Sequence, residues 1–393
     1  MHFKNTLITT SEGLFEGSSL EAEAGFITDL RLGKRLDTLP QGLVLIPGLI
    51  DLHGDMLERE LEPRPGSRFP TPMTLKELDR RHTSAGLTTA YVALSFADFS
   101  KRSDGLSLAE RLIDVVETLM LERPYLGTDM RVHARFEIMN PEAAPLLETM
   151  LGKHQVEMVS LMDHTPGQGQ FRNLENYVEY MMKWLKVGRD DAQYELNRQL
   201  AQPRSWDIVH DICKLAKANH LPIASHDDDT HGKVSLMQEL GVSISEFPVS
   251  LEAATSAKAK GMWTLMGAPN ALRGGSHSGN LSAIAALEEG VLDLLASDYY
   301  PAAMLQACYQ LSCLGVLPFH ESLKLVSLHP AQAAGLTDRG CLEPGKRADM
   351  VLVHISDRPQ VIASFVKGRL VYWNGHYADA LGIEINSRQT QNI

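Results

Sequence analysis

Residues 45–58 read LIPGLIDLHGDMLE. A run of Leu and Ile of this kind is normally buried on both faces of a sheet, yet it delivers His53, Asp55 and Glu58 at its end. An imidazole and two carboxylates are costly in such a place unless something holds them. His53 and Asp55 stand two residues apart, and strand geometry turns both side chains to the same face. The stretch therefore predicts a buried strand that presents two kinds of metal ligand where it ends. Glu58, one turn further on, is expected to sit behind the ligands or in a loop salt bridge and not to bind an ion.

Working outward, the same kind of run recurs. Eight apolar, β-branched segments lie at residues 43–53, 88–94, 132–139, 156–164, 222–228, 243–249, 264–270 and 292–300. Amphipathic helical patterns fall between them, at residues 108–121, 144–151, 206–218 and 232–240 among others. Strands alternating with helices imply a parallel sheet with crossover connections, and eight repeats predict an α/β chain folded as a (β/α)8 barrel. Residues 165–205 are too long and too polar for an ordinary connection; they predict a helical insertion serving as a lid, a binding element or a contact between copies in a homo-oligomer. Residues 1–42 and 340–393 hold short strands and turns, and predict one small β-sandwich domain built from both termini around a barrel of residues 43–339.

Composition narrows the partners. A net charge of -12 over 393 residues disfavours nucleic acid, whose phosphates need clustered Lys and Arg. Cys213, Cys308, Cys313 and Cys341 form no C-x-x-C pair and read as reduced thiols in a cytoplasmic protein. The opening MHFKNTLITT lacks the pattern of a secretion signal, and no apolar run has the length of a membrane span. A small-molecule substrate is the expected partner.

Barrel enzymes gather their chemistry where the strands end. Five of the eight expected strands end in metal-ligand types: His53 with Asp55, Glu137, His164, His226 and Asp298. Six such groups exceed what one tetrahedral ion needs; two divalent ions about 3.5–4 Å apart, sharing Glu137, would use them, and a single ion with the remaining groups around it is the alternative. Zinc is the first expectation, with manganese, iron or nickel able to share the set. The segment ALRGGSHSGN (271–280) offers Arg273, Ser276, His277, Ser278 and Asn280 on a Gly-rich loop before a helix, a good place for an anion. After His226 come Asp227, Asp228, Asp229 and His231; the acids are expected to orient the ligand histidine, with Asp229 capping the next helix, and His231 is placed with the substrate-binding residues. Arg64 and Arg172 are further loop candidates.

The segments LIPGLIDLHGDMLERELEPRPG, SLMDHTPGQGQF, IASHDDDTH, EFPVSLEAA, LMGAPNALRGGSHSGN and ASDYYPAAML, with the closing GKRADMVLV, resemble the amidohydrolase superfamily over residues 43–352. Within it they are most similar to the PhnM family of phosphonate metabolism, in the carbon–phosphorus lyase pathway. The resemblance implies a metal-dependent diphosphatase that hydrolyses α-D-ribose 1-methylphosphonate 5-triphosphate to pyrophosphate and the 5-phosphate. It also implies a catalytic Asp298 that binds metal and takes the proton of the attacking water. His-x-Asp replaces the common His-x-His, and no strand ends in a lysine that could be carbamylated, which leaves Glu137 as the bridge. Two alternatives remain at this stage: an amidohydrolase or deaminase cleaving C–N bonds, and a barrel without activity used as a scaffold.

Overall fold

The computed structural model describes residues 1–64, 66–97, 106–169, 173–201, 204–275 and 279–381. Five strands come first: β1 (His2–Thr10), β2 (Gly13–Glu23), β3 (Phe26–Arg31), β4 (Lys34–Leu36) and β5 (Gly42–Pro47). The barrel strands follow as β6 (Leu49–Gly54), β7 (Leu87–Phe96), β8 (Asp129–Glu137), β9 (Met158–Met162), β10 (Ile223–His226), β11 (Ile244–Glu246), β12 (Trp263–Gly267) and β13 (Leu294–Ala296). The chain closes with β14 (Met350–Ile355), β15 (Gln360–Val366) and β16 (Arg369–Trp373).

β6 to β13 pair in parallel, each with the next in sequence. A parallel bridge between Gly54 and Asp298 joins the last strand to the first, with Asp298 N–H donating to the His53 carbonyl at 3.0 Å and Asp55 N–H to the Asp298 carbonyl at 2.6 Å. Asp51 reinforces this seam. Its buried carboxylate accepts from the backbone N–H groups of His53 at 3.1 Å and Ser297 at 3.0 Å, and from the Ser297 hydroxyl. A buried carboxylate is tolerable only with such a full set of donors.

The other strands form one continuous sheet in the order β16-β15-β14-β5-β1-β2-β3, with β4 beside β2. It curls over its own core, where Phe3, Leu20 and Ile27 meet Leu352, Ile362 and Phe365. The expected strand at 43–53 is therefore two strands. Its first half pairs with β14 and β1 in the outer sheet, and only the part from Leu49 enters the barrel. Gly48 makes the break, since a Cβ there would lie 2.2 Å from Thr88 Oγ1. The run at 264–270 also ends early: helix Ala268–Arg273 starts after Gly267 with Pro269 in its first turn, where the missing N–H of proline costs nothing.

Buried ion pairs fasten the two parts. Arg339, 5% exposed, donates to Asp129 Oδ2 at 2.6 Å and to Thr89 Oγ1 at 2.9 Å, and Arg347 reaches the same Asp129 oxygen at 3.4 Å. The described part of residues 165–205 holds helices as expected, Leu174–Leu185 and Arg189–Ala201, closing on a small core that joins Tyr177, Val178 and Met181 to Ala192 and Leu196. Among the described residues no helix is long and apolar enough to cross a membrane.

Candidate metal centre

The strand ends converge on a cavity of about 700 Å³ whose wall includes His53, Asp55, His164, His226, Asp227 and Asp298. Three strands reach it through a residue in the left-handed region: Asp227 after β10 (φ 56), Phe247 after β11 (φ 52) and Asp298 after β13 (φ 56). Side chains other than glycine pay about 1–3 kcal/mol for that conformation, which persists only where the surroundings impose it. Here the imposing bonds are ladder ends. Asp227 N–H donates to the Glu246 carbonyl at 2.9 Å and Phe247 N–H to the Leu265 carbonyl at 2.7 Å. Asp227, Phe247 and Asp298 themselves line the cavity.

The ligand types are close together. One donor atom from each of His164, His226 and Asp227 lies within 4.8 Å of the others. His164 Nδ1 donates to Glu137 Oε2 at 2.6 Å, and since a carboxylate can only accept, the other ring nitrogen is left as the basic one. Glu137 thus holds His164 while lying just behind the cavity wall. Asp55 accepts from Arg135 Nη1 at 3.1 Å. His226 Nδ1 is buried, lies 3.0 Å from Asp227 Oδ2 and makes no bond of acceptable angle.

The electrostatics follow from this crowding. Burial holds His53 well below the ordinary imidazole pKa, and Arg135 adds to the effect. Burial also opposes charge on His226 and Asp227, but their mutual attraction wins, raising the histidine and lowering the aspartate. Burial, and then the neighbouring Asp55 carboxylate, push Asp298 up to about 6. A cation among these groups would reverse the penalty on the carboxylates.

The remaining expected residues divide. Arg273 and Asn280 line the same cavity, whereas Ser276, His277 and Ser278, like Arg172, lie outside the described residues. His231 does not belong to the cavity wall; its ring meets Ser256 Oγ at 2.9 Å and its backbone N–H meets Glu252. Arg64 is exposed and not part of the wall. Thr230, and not Asp229, caps the helix His231–Glu239 by accepting from Lys233 N–H; Asp229 instead accepts from Gly169 N–H at 3.0 Å, tying down the start of the insertion. Asp228 is fully buried and accepts from Ser225 and Ser245. Glu58, in the short helix Leu57–Leu61, accepts from the backbone N–H of Ser95 near the end of β7 at 3.0 Å and does not line the cavity.

Sequence reading passed over three groups at the centre. Arg135 lines the cavity, and His133 and Glu246 lie beneath it, both fully buried. A signal was present: His133, Arg135 and Glu137 alternate along one strand, which puts all three on the face that carries Glu137. Glu246 ends β11 as His226 ends β10.

The amidohydrolase family model matches residues 127–371. The α-D-ribose 1-methylphosphonate 5-triphosphate diphosphatase of Escherichia coli (strain K12) is 39% identical over 351 residues, covering 86% of this chain and 91% of that protein. The chain belongs to the amidohydrolase family. Solved structures of the family's architecture align over nearly the whole chain. N-acetyl-D-glucosamine-6-phosphate deacetylase from Mycobacterium smegmatis gives a TM-score of 0.63 at 16% identity, covering 95% of this chain and 100% of that one. N-acetylglucosamine-6-phosphate deacetylase from Thermotoga maritima gives 0.60 at 15%, with the same coverage. These likenesses carry the fold alone.

As an amidohydrolase, the chain is a hydrolytic enzyme of a family that generally binds divalent metals. Its own residues fit such ions. The buried Nδ1 of His226 makes no hydrogen bond of acceptable angle and lies among carboxylates, and imidazole with carboxylate suits zinc and its neighbours.

Proposed function

We propose that this amidohydrolase is a divalent-metal-dependent diphosphatase that hydrolyses α-D-ribose 1-methylphosphonate 5-triphosphate, releasing pyrophosphate and leaving the 5-phosphate. The observation that carries this reading is the cavity's double character. Histidines and carboxylates line it, and so do Arg59 and Arg273. Neither arginine has an ion-pair partner among the described residues, which suits a chain of phosphates and serves a neutral cyclic amide poorly. The activity named for the 39% identical relative points the same way, against the C–N hydrolase reading. The retained ligand types argue against an inactive scaffold.

In this reading His53, Asp55, His164, His226 and Asp298, with Asp227 beside them, would hold two ions, zinc first, while Glu137, expected as the bridge, steadies His164 through the 2.6 Å contact. The ions supply Lewis acidity to the phosphoryl group and to the attacking water. Arg273 and Asn280 receive the outer phosphates, and Arg59 guards the mouth. Asp298 takes the proton of the attacking water at its carboxylate.

The test is ³¹P NMR of products from the ribose 5-triphosphate phosphonate, with metal-loaded and chelator-stripped protein in parallel. Pyrophosphate formed only by the loaded protein is the expected result. If the loaded protein leaves the triphosphate intact, the assignment of substrate is wrong and cyclic amides become the next compounds to try.

A further inference from the structure

Glu246 ends β11 at the base of the cavity and is 0% exposed. Its partners come from across the barrel. His53 Nδ1 on β6 lies 3.2 Å from Oε1, the Ser160 hydroxyl on β9 donates to Oε2 at 2.7 Å, and His133 Nε2 on β8 lies 3.8 Å from Oε1. His133 is itself fixed, because its Nδ1 donates to the Leu52 carbonyl at 3.1 Å, and its ring meets His53 edge to face at a centroid distance of 5.2 Å. An ionised carboxylate has no proton to give, so the His53 nitrogen facing it carries the hydrogen. That leaves Nε2 as the basic nitrogen of a ring that lines the cavity.

We infer that Glu246 is the positioning residue of the metal centre: it sets the tautomer and ring orientation of His53 from beneath, and the Ser160 hydroxyl holds it in place. The inference rests on the reading of His53 as a ligand. A carboxylate behind a ligating histidine fixes its orientation and raises its basicity, and such partners typically matter 10–100-fold in metal affinity. His53, His133 and Glu246 could be taken as a separate ion site, since donor atoms of the three lie within 4.8 Å of one another. Against that, His133 and Glu246 are fully buried and neither lines the cavity, and the 3.2 Å contact already accounts for His53 Nδ1 and Glu246 Oε1 as a hydrogen-bonded pair.

The experiment measures zinc affinity of the metal-stripped full-length chain by competition with a chromophoric chelator, and zinc content by elemental analysis. The proteins are wild type, E246Q, S160A, H53A and H53A/E246Q, each checked for fold by circular dichroism. E246Q keeps the size of the side chain and loses its charge, and is expected to weaken binding 10–100-fold without changing the number of ions. S160A should weaken it less, in the same direction. In the H53A background, E246Q should cost nothing further, because its effect passes through His53. An E246Q protein that binds zinc as wild type does, one that loses a whole ion, or a further loss in the double variant each overturns the assignment. If E246Q alone fails to fold, S160A and its combination with H53A decide by the same comparison. Wild type that binds no zinc would sink the metal-centre reading itself, a result distinct from any of these.

Discussion

Asp298 meets several demands with one residue. Its backbone closes the barrel through the His53 carbonyl, its φ of 56 turns its side chain into the mouth, and burial beside Asp55 raises its carboxyl to about 6. The backbone part of this does not depend on charge, so Asp298→Asn should preserve it. The variant is expected to keep the thermal midpoint of the wild type within a few degrees while turnover falls at least 10³-fold, since it loses both a ligand charge and the proton acceptor. Turnover within tenfold of wild type, measured on a protein with unchanged circular dichroism, would remove Asp298 from the chemistry. At this scale the sequence was informative where a polar residue interrupts an apolar strand at its end, as with His53, His226 and Asp298. For His133 and Glu246 it carried the face of the strand and the strand end but not the partner: they touch residues more than eighty positions away, and nothing local in VHARFE or SISEFPV announces that contact.

At the level of elements, the helical insertion has a definite place. Helix Leu174–Leu185 sends Tyr180 to the cavity wall, while Tyr177 and Met181 on the same helix build the insertion's own core with Ala192 and Leu196. The chain also anchors the insertion at both ends: Asp229 accepts from Gly169 N–H, and Arg204 Nε donates to Asp163 Oδ2 at 2.9 Å. The composition of residues 165–205 revealed helices, but not which face met the cavity, because that depends on where the two anchors set the hairpin. An aromatic side chain in a binding wall contributes about 0.5–1.5 kcal/mol beyond its buried area, and about 1.4 kcal/mol corresponds to tenfold in affinity. Tyr180→Ala is therefore expected to raise KM about three- to tenfold with kcat changed less than twofold. Steady-state kinetics on the triphosphate substrate checks this. An unchanged KM together with a changed molar mass in light scattering would return the insertion to the role of a contact between copies.

Across the whole molecule, the outer sheet and the barrel are held as one body by buried polar groups whose titration makes the assembly sensitive to acid. Helix Thr71–Ser84 lies at this junction: the Thr83 carbonyl accepts from the Ser364 hydroxyl of β15 at 2.6 Å, and its neighbour His82 is 1% exposed with Nδ1 unpartnered. Burial lowers the His82 pKa from 6.5 to about 3. Between those two values the unfolded chain binds a proton here that the folded chain refuses, so stability rises with pH across the window. The contribution is fully present above pH 6.5 and drains away as the pH falls toward 3. By pH 5.5 an unfolded imidazole one unit above the solution pH has gained about 1.4 kcal/mol from protonation, against about 0.2 kcal/mol at pH 7. His82→Leu removes that uptake and fills the same space with an apolar group. Urea unfolding of the two proteins at pH 7 and pH 5.5 should show the wild type losing about 1 kcal/mol more than the variant between the two conditions. Equal losses would mean that His82 gains a proton in the folded state too, through a partner at the junction, and that the acid sensitivity of the assembly resides in other groups.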